Sequence, residues 1–118
     1  MNAIKAVEIA KRVNGQVGDD ILYEAIKRLE RMIEKYAKLP HKEFDKNAVL
    51  TAAGGVYDGY DDIYTLYLKR EAALHIEDWN CFPSYDALFV NRWDELCKEI
   101  VRTHEPEKQS FGPDWRWT

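Results

Sequence analysis

Apolar residues recur at helical spacing along most of the chain. Ile4, Val7, Ala10 and Val13 fall at three-residue steps, which predicts a short amphipathic helix over residues 2–13. Asn14-Gly15-Gln16-Val17-Gly18 stops it, with asparagine and glycine suited to the positive φ that helix ends use. Asp19 or Asp20 is then placed to cap a second helix, running to about Lys38 before Leu39-Pro40. Its apolar stripe is Ile21, Leu22, Ala25, Ile26, Leu29, Met32, Ile33 and Tyr36, and Glu30, Glu34, Lys27 and Arg31 are expected on the solvated side. Residues 40–57 have no clear period, and Gly54-Gly55 breaks any helix, so a connector with a single helical turn or a short extended piece is expected. From Asp58 the period returns: Ile63, Tyr64, Tyr67, Leu68, Ala72 and Ile76 face one way, in a helix ending near Trp79-Asn80. Pro83 suits a first turn, and Tyr85, Leu88, Phe89, Trp93, Leu96, Cys97, Ile100 and Val101 define a last helix closed by Pro106. Four helices and no strand predict a small all-α bundle, with an irregular, extended tail. The expected division is a helical domain over 1–106 and a docking tail over 107–118.

Composition narrows this picture. At 118 residues with a hydrophobic fraction of 46% and a charged fraction of 32%, the chain suits one folded domain rather than wholesale disorder. No apolar run approaches the ~20 residues of a bilayer span, and the N-terminus lacks a secretory pattern. Cys81 and Cys97 are too few and too oddly placed for a disulfide framework or zinc site, so free thiols and synthesis in the cytoplasm are expected. Charge is uneven. Residues 1–47 carry 10 Lys/Arg and 8 Asp/Glu (+2), and residues 48–118 carry 7 and 13 (−6). An acidic second half argues against DNA wrapping, which needs clustered cations.

Candidate chemistry is sparse. His41, His75 and His104 sit in no HxxxH or HExxH context, although His75 with Glu71 or Asp78 could share a helix face. Asp61/Asp62 and Asp94/Glu95 are adjacent pairs, about 100° apart on a helix, and so do not converge on a substrate. Asp61 and Asp62 fit the positive end of a helix dipole. Gly54-Gly55 lacks the continuation of a phosphate loop. Cys97 reads as a small core residue. Neither a catalytic set nor a cofactor or metal site is expected.

Aromatic residues are more informative. Tyr57, Tyr60, Tyr64 and Tyr67 are spaced three, four and three, and Trp79, Phe82, Tyr85, Phe89 and Trp93 follow. A core stripe is the ordinary use of such spacing, yet two helices need less ring surface than this, and Tyr and Trp are enriched where proteins meet. Tyr57, Tyr60, Tyr64, Trp79, Phe82 and Tyr85 are therefore candidates for a subunit interface. Asp58-Gly59-Tyr60-Asp61-Asp62-Ile63-Tyr64-Thr65-Leu66-Tyr67-Leu68, with Phe89-Val90-Asn91 and Arg102-Thr103-His104-Glu105-Pro106 downstream, resembles the head-completion (head–tail connector, or adaptor) proteins of tailed bacteriophages. Asp19-Asp20-Ile21-Leu22 and residues 26–36 suit the first long helix of that group. The resemblance covers residues 19–106. It departs at Asn80-Cys81-Phe82-Pro83-Ser84, where a proline falls in a stretch otherwise more helical, and in a longer tail.

The resemblance implies a structural virion protein at the head–tail junction. Its copies would form a ring, typically of twelve, between the portal protein and a stopper or tail-completion protein, with DNA passing through the lumen unbound. It implies no enzyme activity, no cofactor and no membrane. A ring subunit needs two different lateral faces that close by rotation. The tail "SFGPDWRWT" then reads as a docking segment, with Phe111, Trp115, Arg116 and Trp117 as anchors for the portal or a neighbouring subunit. Fold-back of the tail onto its own helices stays open, as do two other functions: a small acidic phage-encoded binder of a host nucleic-acid-handling protein, and an enzyme built around His75.

Overall fold

The computed structural model describes residues 1–13 and 15–104. It contains four α-helices, α1 (Ala3–Val13), α2 (Asp19–Ala37), α3 (Asp61–His75) and α4 (Phe82–His104), and among the described residues there are isolated β-bridges but no strand. The small all-α bundle expected from the periodicity is what forms. None of the described helices is long and apolar enough to cross a membrane.

The central helix is α3, which packs on α1, α2 and α4. Its partners define antiparallel neighbours. Asp62 pairs with Arg92, Tyr67 stacks on Phe89 and Arg70 pairs with Asp86, so α4 descends as α3 ascends. On the other side Arg28 meets Glu71 and Glu30 meets Tyr64, which sets α2 antiparallel to α3. The core between them is Leu22, Ala25, Ile26, Leu29 and Ile33 of α2 with Ile63, Tyr64, Tyr67, Leu68 and Ala72 of α3, closed by Ala3, Ala6, Val7 and Ala10 of α1. Small residues on α1 allow that helix to approach closely.

Several helix ends differ from expectation. Gly18, at φ −68°, is the N-cap of α2, and neither Asp19 nor Asp20 caps it; they sit in its first turn, where the dipole favours carboxylates. Asp19 instead binds Lys11 at 2.5 Å, tying α1 to α2. Among the described residues left-handed backbone falls at Lys38 (φ 57°) and Glu77 (φ 58°), and positive-φ glycines are Gly54 and Gly59, rather than Gly15 or Gly18; Asn14 lies outside the described residues. Helix α3 is shorter than predicted at both ends. It starts after Gly59 (φ 99°), and it stops at His75 because Glu77 turns left-handed. Asp78 then accepts hydrogen bonds from the N–H groups of Asn80 and Cys81, shaping the turn into α4, and Pro83 occupies the first turn as anticipated.

The connector 40–60 is better organised than its sequence suggests, and α2 is why. Glu30 and Glu34, expected in solvent, reach it instead. Glu30 accepts from the Thr51 N–H (3.1 Å), the Thr51 hydroxyl (2.9 Å) and the Tyr64 hydroxyl (2.5 Å), while Tyr64 accepts from the Ala52 N–H at 2.9 Å. Glu34 holds His41 at 3.0 Å and the Lys42 N–H at 3.3 Å. The Met1 ammonium donates to the Ala53 carbonyl at 3.0 Å, and Leu50 N–H donates to the Met1 carbonyl at 3.0 Å.

Within this loop the backbone at Gly55 passes so close to Leu50 and Thr51 that an added Cβ would lie 2.7 Å from the Leu50 carbonyl oxygen. Backbone cannot step aside as a side-chain tip can. Gly55→Ala is expected to cost about 2 kcal/mol, a fall of about 8 °C in Tm by thermal denaturation. Gly59→Ala, in open space but at positive φ, should cost about half as much. Equal Tm values for Gly55→Ala and the parent chain would show that the loop does not pack this way.

Candidate functional site

Exposed apolar residues lie on α2 (Met32, Tyr36), in the connector (Val49, Val56) and, most of them, on the α3–α4 hairpin, and two arginines hold that hairpin together. Arg92 donates to Asp62 (3.0 Å), Glu95 (2.8 Å) and the Gly59 carbonyl (3.0 Å), and its guanidinium lies 4.6 Å from the centre of the Tyr60 ring. Its pKa is raised, first by the hydrogen bond to Glu95 and, against partial desolvation, by Asp62. Arg70 donates to Asp86 (2.7 Å) and Glu71 (3.1 Å) and sits 5.6 Å from the rings of Tyr67, Phe82 and Phe89. Each such contact is worth roughly 0.5–1 kcal/mol where exposed and more when desolvated. Neither arginine stood out in the sequence.

Several interface candidates turn out to belong to the chain itself. Tyr64 is fully buried and Tyr57 nearly so, at 0% and 5% exposure, and this corrects their assignment as surface rings. Tyr64 lies beneath the connector with its hydroxyl on Glu30 and the Ala52 N–H, and Tyr57 is itself a connector residue turned into the core, near Glu99 of α4. Tyr60 is half-buried beneath Arg92. Phe82 and Tyr85 are half-buried at the start of α4, and Phe82 meets Trp79 edge-on at 6.0 Å. Trp79 itself is 58% exposed at the tip of the hairpin, close in sequence to exposed Leu74. Phe111, Trp115, Arg116 and Trp117 lie outside the described residues.

Other exposed apolar residues were read as core or passed over. Met32 and Tyr36 of α2 and Leu88 and Val101 of α4 were placed on buried stripes, yet all four are exposed, as is Val90. The reason is geometric. Helix α4 buries one face through Phe89, Leu96 and Ile100. At 100° per residue, Leu88 falls on one flank of that face and Val90 on the other, 200° apart. A single partner helix cannot cover both. The spacing of Leu88 and Val90 was the signal available in the sequence.

The Val90 flank continues through Trp93, Cys97 and Val101, and the end of α2 lies against it. Tyr36 meets Trp93 edge-on at 6.2 Å, and Trp93 stacks on Phe89 at 6.2 Å. The Tyr36 hydroxyl bonds the Cys97 sulfur; burial still pushes the Cys97 thiol up, with the Tyr36 bond opposing it. Between the two helices runs an open groove of about 290 Å³ lined by Tyr36, Asp94, Cys97, Lys98, Val101 and Arg102.

A second hollow, of about 150 Å³, separates α2 from the connector and includes Lys27, Arg31, Glu30, Glu34 and His41. Three of its four carboxylates are already engaged, Glu30 by Tyr64 and Thr51, Glu34 by His41 and the Lys42 N–H, and Asp45 by the Asn47 N–H. The residues around His75 are likewise committed, Glu71 to Arg28 and Arg70 and Asp78 to backbone N–H groups. Among the described residues no group of three or more His, Cys, Asp and Glu side chains could hold a metal ion. Cys81 is exposed and free, its thiol pushed up by the hydrogen bond and charge of Asp78. No family model, curated protein or solved structure matches the chain.

Proposed function

We propose that the chain is a structural assembly protein, a head–tail connector subunit whose copies pack side by side in a ring. The single observation that carries this reading is the placement of Leu88 and Val90 on opposite flanks of α4, each 51% exposed. A head-to-tail ring buries two unlike faces on every subunit, whereas a two-fold dimer buries one face twice. Charged residues beside each patch, Glu95 near Leu88 and Asp94 near Val90, would act as the rim that sets register. The resemblance of residues 19–106 to adaptor proteins supplies the setting: a platform between portal and tail or stopper, with DNA passing through. In this reading the protein performs no catalysis, and the exposed Trp79 joins the lateral or portal contact. The acidic second half does not favour a regulatory binder over a ring subunit, because Arg70 and Arg92 engage Asp62, Glu71, Asp86 and Glu95 internally.

The test is fractionation of phage particles from cells producing the chain. The protein should co-sediment with tailed particles at a constant ratio to the portal protein. Leu88→Asp and Val90→Asp should each abolish that incorporation while shifting the monomer's stability by less than about 1 kcal/mol. A protein found only in the lysate and never in particles sinks the connector assignment and leaves the regulatory reading. Loss of assembly from one variant alone points to a two-fold dimer instead.

A further inference from the structure

Helix α4, the last described element, ends at His104, one turn beyond Val101, at the open end of the α2–α4 groove. Tyr36 and Val101, which line that groove, remain 45% and 41% exposed, so the apolar floor lacks a cover among the described residues. Fourteen residues follow, 105–118. Extended at ~3.3 Å per residue they could span about 45 Å. From Val101 back to Val90 along α4 is only about 16 Å, at 1.5 Å per residue.

We propose that in the unassembled chain this groove is the seat of the chain's own C-terminal segment, residues 105–118. Three features of that segment match it. Phe111, Trp115 and Trp117 are all odd-numbered, so in an extended chain they share one face. Trp115 and Trp117, about 7 Å apart in an extended chain, match the step of about 6 Å along α4 from Cys97 with Tyr36 to Trp93, and Phe111 then falls beyond Val101. Charge follows the same order. Leaving the end of α4, the rim presents Arg102, Lys98 and then Asp94, with Arg102 paired to Glu99 and Lys98 to Asp94 in surface ion pairs, and the segment presents Asp114 and then Arg116. Asp114 and Arg116 are even-numbered and lie on the outer face of the extended run, where they extend these surface pairs, Asp114 toward the cations and Arg116 toward Asp94. Thirdly, a short tether gives an effective concentration in the millimolar range, so the chain's own segment outcompetes that of another copy. Pro106 and Gly112-Pro113 suit the reversal and the extended run that this path requires. The inference concerns a single chain and does not depend on the ring reading. Should both hold, the seated segment and a neighbouring subunit compete for the Val90 flank.

The two cysteines provide the measurement. Cys97 lies in the groove and Cys81 lies exposed before α4, about 24 Å away along the helix axis at 1.5 Å per residue. Alkylation by iodoacetamide, followed site by site by peptide mass, is compared between the full chain and full-length Trp115→Ala/Trp117→Ala. Cys97 should react about ten-fold faster in the variant, with the Cys81 rate unchanged as an internal control on folding. Val101→Glu, which places a charge in the groove floor, should accelerate Cys97 similarly. Identical Cys97 rates in all three proteins overturn the proposal. Protection of Cys97 that disappears on dilution also overturns it, by showing that the segment comes from a second copy.

Discussion

Tyr64→Ala is expected to lower the unfolding free energy by about 4 kcal/mol, in the range for deleting a large aromatic from a closed core. The ring is completely buried between α2, α3 and the connector. Its hydroxyl is a junction, donating to Glu30 at 2.5 Å and accepting from the Ala52 N–H at 2.9 Å. Burial first, and then the Glu30 carboxylate, drive its ionisation far above the ordinary tyrosine range, so at neutral pH the hydroxyl is a neutral donor. The substitution therefore removes packing and leaves Ala52 N–H and a Glu30 oxygen without their partner. Tyr64→Phe separates the two effects. It keeps the ring and should cost about 2 kcal/mol, the penalty for stranding buried polar groups. Urea unfolding measures both, as a fall in midpoint with the slope unchanged. A Tyr64→Phe midpoint equal to that of the parent would mean that the Glu30 junction does not hold the connector.

Leu96→Ala should cost about 3 kcal/mol, and its effect should be uneven along α4. The Asp62–Arg92 pair marks where the first described turn of α3 meets α4. Beyond it, the last three turns of α4 rest on Leu96 and Ile100, with Tyr36 and Tyr57 as neighbours from α2 and the connector. Loss of the Leu96 side chain leaves Ile100 as the remaining fully buried anchor among the described side chains of those turns. Amide exchange should consequently quicken most over residues 96–104 and least over α3, since regions with few buried contacts open first. Uniform acceleration through all four helices would show that α4 unfolds only with the whole domain.

Much of the architecture was legible from the period of apolar residues. The stripes from Leu22 to Ile33 and Ile63 to Ala72 face the interior as the spacing requires, because a helix has to bury its apolar side; on α1 Val7 and Ala10 do so, but Ala3 and Ala6 complete the buried face and Ile4 is only half-buried. Errors cluster where a residue's fate depends on a distant segment. Glu30 and Glu34 occupy what looks like a solvent face of α2, but the aperiodic connector returns over them. The tyrosine stripe looked like surplus ring surface for a partner, yet Tyr64 is covered by that same connector, and Tyr57, which belongs to it, turns into the core. Met32 and Tyr36 sit on the apolar side of α2, but the helices packed beside them leave them partly uncovered.

Helix number, order and approximate extent were properties of the sequence itself, because local spacing and breakers determine where turns of helix can form. Which rings end inside and which outside was decided only by the tertiary structure. A side chain's exposure depends on what packs over it, and here the covering pieces come from parts of the chain that carry no period of their own. The apolar flanks of α4 arise the same way: one helix offers more greasy circumference than its neighbours can cover.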